Sequence, residues 1–159
     1  MSARPIPERV TAAAEGEVVV FLIGMRVNRW RSVRHWLPAM TAMPRMLREL
    51  SRDPDSGLLG YRLLSGGPRV YTVVQYWRSR EELLAYAADP AAQHRPAWAD
   101  FNRRARHGAD KVGIWHETYL VPAGSYESVY VGMPLSGLAA AHGVEPVARR
   151  GERAAQRLN

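Results

Sequence analysis

Residues 17–27 read Glu-Val-Val-Val-Phe-Leu-Ile-Gly-Met-Arg-Val, an unbroken apolar run rich in β-branched side chains. It is too short and too valine-rich for a stable helix, so it predicts a buried strand. Side chains alternate between the two faces of a strand, and here both sets are apolar. Val18, Val20 and Leu22 form one set, Val19, Phe21 and Ile23 the other. A strand of this kind needs cover on both sides. Helices supply one cover; the simplest source of the second is another copy of the same chain, so a homodimer is expected.

Working outward from this strand, Asn28 offers an N-cap, and Trp30, Val33, Leu37, Met40, Leu47 and Leu50 recur at helical spacing over 30–50. Pro38 and Pro44 fall inside that helix and are expected to bend or split it. Asp53-Pro54-Asp55-Ser56-Gly57 ends it. Residues 58–64 and 69–77 read as strands joined by the turn Ser65-Gly66-Gly67-Pro68. Ser79 and Glu82 match a capping box and open a helix to about residue 88, while Asp89-Pro90 starts another that reaches His107. Residues 111–121 and 126–133 read as two further strands, and 135–143 as a short helix.

The resulting order is α+β: a ferredoxin-like βαββαβ protomer with an extra C-terminal strand. Residues 1–16 are expected to be a flexible N-terminus, 17–147 the folded domain, and 148–159 a disordered basic tail.

Composition removes several function classes. The 159 residues contain no cysteine, which excludes disulfides, thiolate metal sites and cysteine nucleophiles. The net charge is +7, nearly all of it arginine, but the arginines are scattered apart from Arg103, Arg104 and Arg106 and the tail residues Arg149, Arg150, Arg153 and Arg157. A nucleic-acid binder concentrates its charge on one face, so no nucleic-acid partner is expected. No apolar run approaches the roughly 20 residues of a membrane span, and residues 1–16 lack the apolar core of a signal peptide. A soluble cytoplasmic protein follows as the expectation. The serine-hydrolase elbow, the P-loop, the zinc-protease motif and glycine-rich dinucleotide fingerprints are all missing.

The candidate chemistry lies in two groups of residues. His94 shares a helix face with Trp98 and Phe101, where an imidazole serves as ligand, base or packed core histidine. His116 lies mid-strand on one face with Ile114 and Thr118, with Trp115, Glu117 and Tyr119 on the other. A soft stripe of Met40, Met43 and Met46 lies near Trp36, with Met25 ending the first strand. Gln75 and Trp77 share one face of the third strand and place a polar group beside an aromatic wall. Such stripes are usually core, but an apolar cleft with a few polar groups is also how small-molecule sites look.

The stretches VFLIGMRVN at 20–28, AMPRMLREL at 42–50, QYWRS at 75–79, HRPAW at 94–98 and GIWHETY at 113–119 together carry a resemblance. The chain resembles a bacterial and fungal monooxygenase-like family, which includes a fumagillin-pathway enzyme, within the dimeric α/β-barrel superfamily. The resemblance covers roughly residues 17–147 and implies a barrel-forming homodimer and an oxygenase role in natural-product metabolism. The leading expectation is a cofactor-free monooxygenase acting with O₂ on a small apolar or aromatic intermediate. His116 or His94 would be its base, Tyr119 and Gln75 its hydrogen-bonding groups, and Trp77, Trp98, Met40, Met43, Met25, Trp36 and Phe101 its pocket. The superfamily also holds haem-degrading enzymes, and YWRS at 76–79 followed by His94 is similar to their tryptophan and proximal histidine. On that match haem is the alternative cofactor and His94 its ligand, although Met25 stands where those enzymes carry asparagine. A non-catalytic dimer that binds a small molecule is the third reading.

Overall fold

A computed structural model describes residues 4–89 and 110–158 of the chain. The strand read first is β2, Val18–Val27, following a short β1 at Val10–Ala12. Helix α1 spans Val33–Arg52 and leads to the hairpin of β3, Leu58–Ser65, and β4, Val70–Trp77. Helix α2, Arg80–Ala88, follows, and β5 is Val112–Val121. A short α3 at Leu138–His142, β6 at Val144–Pro146, a 3₁₀ turn at Val147–Arg149 and α4 at Ala154–Arg157 close the chain. The helix expected from Pro90 to His107, with His94, Trp98 and Phe101, lies outside the described residues.

The main sheet runs β3-β4-β2-β5 with every neighbouring pair antiparallel, the strand order of a ferredoxin-like fold. Register divides each strand cleanly. Val19, Phe21, Ile23, Met25 and Val27 of β2 share a face with Tyr71, Val73, Gln75 and Trp77 of β4 and with Val112, Ile114, His116, Thr118 and Leu120 of β5. This face carries the helices: Leu50 and Leu83 pack with Val19 and Trp77, while Trp36 and Met40 pack with Met25 and Val27.

Helix α1 is neither split nor interrupted at Pro38 or Pro44. Each proline removes one donor, but burial of Leu47 and Leu50 and the packing of Trp36 and Met40 hold the helix together across both. The cap also moves. Asn28 is tied into the sheet end, its N–H donating to the Lys111 carbonyl and its side-chain oxygen accepting from Arg26, so the helix begins after Ser32. At α2 the Ser79 hydroxyl accepts the Glu82 N–H at 3.1 Å, as the capping pattern predicts, while the Glu82 carboxylate turns to Arg78 at 2.8 Å. Ser79→Ala is expected to cost about 1 kcal/mol in a urea titration. An unchanged midpoint would show that this cap contributes nothing.

The second sheet face holds a surprise for the sequence reading, because the chain covers half of it unaided. Val10–Ala12, inside the stretch expected to be flexible, pairs antiparallel with Val144–Pro146. The strand expected at 126–133 is instead an irregular segment with isolated bridges from Tyr130 to Val10 and from Met133 to Ile6. Its polar side chains bond locally, the Ser128 hydroxyl accepting from the Ala12 N–H and the Tyr126 hydroxyl donating to the Gly16 carbonyl. The extra C-terminal strand is therefore β6. Together these segments form a cap in which Ala12, Ala14, Leu138 and Ala139 pack on Val18, with Val20, Tyr76 and Val121 against them. The expected disordered tail is pinned to it as well: Arg157 bonds Glu127 at 2.9 Å with its side chain only 5% exposed, and Arg9 pairs with Glu152.

Beyond that cap the same face carries Leu22, Gly24, Thr72, Val74 and Trp115. A Cβ at Gly24 would stand 2.5 Å from the Trp115 indole, so glycine is what lets the ring lie across β2.

Candidate active site

The helix-facing side of the sheet gathers most of the candidates. Successive rows across β5, β2 and β4 read Ile114-Met25-Tyr71, His116-Ile23-Val73, Thr118-Phe21-Gln75 and Leu120-Val19-Trp77. His116 and Gln75 thus lie on one surface, two strand spacings and one row apart, roughly 12 Å, with Phe21 and Ile23 between them. The His116 side chain is exposed on the edge strand, its ring 5.8 Å from that of Phe21.

Trp77 and Gln75 form a buried pair. The Trp77 Nε1–H donates to Gln75 Oε1 at 2.9 Å, with the residues 1% and 5% exposed. Trp77 packs among Val19, Leu50 and Leu83 and lies 5.6 Å from the Tyr86 ring, so its indole belongs to the core between the face and the helices. It fixes the Gln75 side chain by occupying one of its acceptor sites.

Met25, Met40 and Trp36 do meet, in a cluster with Trp30, Tyr71 and Ile114 at the far end of the face. Trp36 Nε1–H donates to the Trp30 carbonyl at 2.9 Å, and the two indoles meet edge to face at 5.3 Å. Met43 lies half-buried on α1 outside that cluster. Tyr119 stands apart: it is on the opposite face of the sheet from His116 and Gln75. There its hydroxyl donates to Glu117 at 2.7 Å, and this hydrogen bond, foremost, raises its pKa above the usual tyrosine value. Sequence reasoning passed over Phe21, Ile23 and Tyr71 as site residues, although the same two-residue period that selects Met25 and Gln75 selects them.

A cavity of about 370 Å³ opens at the other end of the helices, lined by Glu49, Leu50, Asp53, Glu82, Tyr86 and Asp89 among others. Its wall is acidic rather than methionine-rich. Burial, followed by Glu49 and Asp89, pushes the Tyr86 hydroxyl far above the usual tyrosine value. Elsewhere burial lowers the His142 pKa and raises that of Tyr76. Among the described residues no three His, Asp or Glu side chains are placed to hold a metal ion, and no helix is long and apolar enough to cross a membrane.

Comparison with known proteins places this geometry in a family. The family model described as Monooxygenase af470-like matches residues 18–138, from the first residue of β2 to the first of α3. The chain belongs to the Monooxygenase af470-like family. Among curated members, Monooxygenase af470 of Aspergillus fumigatus is 31% identical over 124 residues, covering 74% of this chain and 43% of that protein. The chain therefore spans less than half the length of that relative. Among solved structures, aldoxime dehydratase OxdRE in complex with butyraldoxime superposes with a TM-score of 0.61 at 16% identity, covering 89% of this chain and 39% of its own. SnoaB, a cofactor-independent oxygenase from Streptomyces nogalater, gives a TM-score of 0.41 at 16% identity over 67% of this chain and 92% of its own. At 16% identity the likeness to OxdRE is one of fold.

Proposed function

We propose that this chain is a monooxygenase that uses no cofactor and acts as a cytoplasmic homodimer on a small apolar or aromatic natural-product intermediate. The observation that carries the reading is His116: an exposed imidazole against Phe21, on the same helix-facing surface as the fixed amide of Gln75. Family membership supports the class of chemistry.

In this mechanism His116 takes a proton from an acidic O–H or C–H of the substrate. The electron-rich anion passes an electron to O₂, and the radical pair closes to a hydroperoxide. Loss of water then leaves a carbonyl or quinone, so one oxygen atom enters the product, the other becomes water, and the substrate supplies every electron. Phe21 and Ile23 hold the ring and exclude water, which strengthens the contact between the anion and its hydrogen-bond donors. Gln75 Oε1 is engaged by Trp77, so the remaining amide N–H₂ is the group that donates to the substrate oxygen. Tyr119, on the other face, takes no part in this step.

The test is oxygen uptake by the purified protein against a panel of phenolic and polyketide substrates, with ¹⁸O₂ labelling of the product and a parallel haemin titration. One labelled oxygen per product without added cofactor is the expected result. A sharp Soret band on adding haemin, lost in His94→Ala, together with haemin-dependent turnover, would replace this reading with a haem enzyme. Saturable binding of a substrate with no oxygen consumed would replace it with a binding protein.

A further inference from the structure

Arginines that are scattered along the chain are brought together at one end of the main sheet. The strand β2 runs on into Asn28 and Arg29, whose N–H groups both donate to the Lys111 carbonyl, at 2.9 and 3.1 Å. On its other side the Val27 N–H donates to the Arg69 carbonyl at 2.8 Å. Three segments far apart in sequence therefore end side by side. Residues 26–36, 65–71 and 110–114 bring Arg26, Arg29, Arg31, Arg34, Arg69 and Lys111 against a single carboxylate, Asp110, and so hold most of the net charge of +7. Asp110 is committed to Arg29 at 2.9 Å, with both side chains more than half exposed.

Asn28 organises two of these cations. Its side-chain oxygen accepts from Arg26 Nη1 at 3.2 Å, and its backbone carbonyl accepts from Arg69 Nη1 at 3.1 Å. Two acceptors on one residue hold the guanidinium groups within about 10 Å of each other. Both acceptors are neutral, and among the described residues neither arginine has a carboxylate partner. Each guanidinium carries further N–H donors, and both residues are exposed. A carboxylate is satisfied by the two parallel N–H bonds of one arginine, whereas the oxygens and charges of a phosphate or diphosphate can be shared between two. A nucleic-acid strand would also need open rings for its bases, and the indoles at this end, Trp30 and Trp36, are closed on each other edge to face at 5.3 Å. We infer that Arg26 and Arg69, set by Asn28 and with Lys111 opposite, form a binding site for the phosphate or diphosphate group of a small organic ester. The site is separate from the proposed catalytic surface, because Asn28 lies five residues on from Ile23, the cross-strand partner of His116, roughly 17 Å along the strand direction. It holds or fails independently of the role given to His116.

Equilibrium dialysis of the full chain against ³²P-labelled pyrophosphate at low salt tests the site. The wild type is run beside Arg26→Gln, Arg69→Gln and Asn28→Ala, with Arg80→Gln as the control, an exposed arginine paired with Glu81 elsewhere on the molecule. Circular dichroism confirms that each variant is folded. The expected outcome is one pyrophosphate per chain, weakened about tenfold or more by Arg26→Gln and by Arg69→Gln and unchanged in Arg80→Gln. Asn28→Ala removes the acceptor that orients Arg26 without changing any charge, and should weaken binding several-fold, which a diffuse basic surface would not feel. No saturable binding, or binding equal in all the variants, would overturn the site. Displacement of the label by acetate as readily as by phosphate would overturn the assignment to phosphate. Tighter binding of single-stranded oligothymidylate, lost in the same variants, would overturn the small ligand in favour of a nucleic-acid strand.

Discussion

Replacing His116 with alanine is expected to lower turnover by roughly 10²–10⁴-fold, the usual contribution of a positioned general base. The residue sits exposed on the edge strand β5, so its removal opens no cavity and its stability effect belongs with surface substitutions, within about 0.5 kcal/mol. His116→Gln keeps much of the shape and a hydrogen-bonding group but cannot accept and release a proton at neutral pH, and its loss should match that of alanine. Added imidazole should restore part of the activity of His116→Ala, because a small base in solution reaches this exposed position, and should do nothing for the wild type. The decisive comparison is with His94→Ala. Full turnover in His116→Ala beside loss in His94→Ala would move the base to His94 and end the proposed role of His116.

Replacing Trp77 with alanine should cost about 3–5 kcal/mol of folding stability, a large share of what a domain of this size has to lose. The indole is among the largest fully buried side chains, and its departure also strands the Gln75 side-chain oxygen that it satisfies. These two contributions can be separated. Trp77→Phe keeps most of the packing but removes the donor, and should lose roughly 1–3 kcal/mol, the price of an unsatisfied buried acceptor. Adding Gln75→Leu to it removes both partners and should recover much of that loss, since a matched apolar pair is nearly neutral. Urea titrations of the two single variants and the double variant complete the cycle. Independent, additive effects of Trp77→Phe and Gln75→Leu would show that the hydrogen bond does not couple the residues.

Local signals carried much of the architecture. The apolar run at 17–27, the Ser-Gly-Gly-Pro turn and the serine that starts α2 all act over a few residues, through side-chain periodicity, turn geometry and a single cap bond. The same two-residue period put His116 with Ile114 and Thr118, and Tyr119 on the reverse side, as the register bears out. Where the sequence misled, a distant partner had outbid a local preference. Asn28 is a good cap by type, but the Lys111 and Arg69 contacts hold it in the sheet end and shift the helix start to Ser32. The stretch 126–133 has strand composition, but its polar side chains are drawn to residues 12 and 16, and only isolated bridges remain.

The candidate site divides in the same way. That Gln75 and Trp77 share a face follows from their spacing alone. That Trp77 is core, sealed between that face and the helices with its N–H committed to Gln75, depends on Leu50 and Leu83 arriving from two helices. The sequence by itself determined the order from β2 through α1, β3, β4 and α2 to β5, the pairing of faces and the residues able to do proton chemistry, because each is written in short-range period and residue type. Tertiary structure alone decided that residues 10–14 and 138–146 close over half of the second sheet face. Those segments meet through contacts more than a hundred residues apart along the chain, where burial of small apolar side chains, rather than any local propensity, selects the partner.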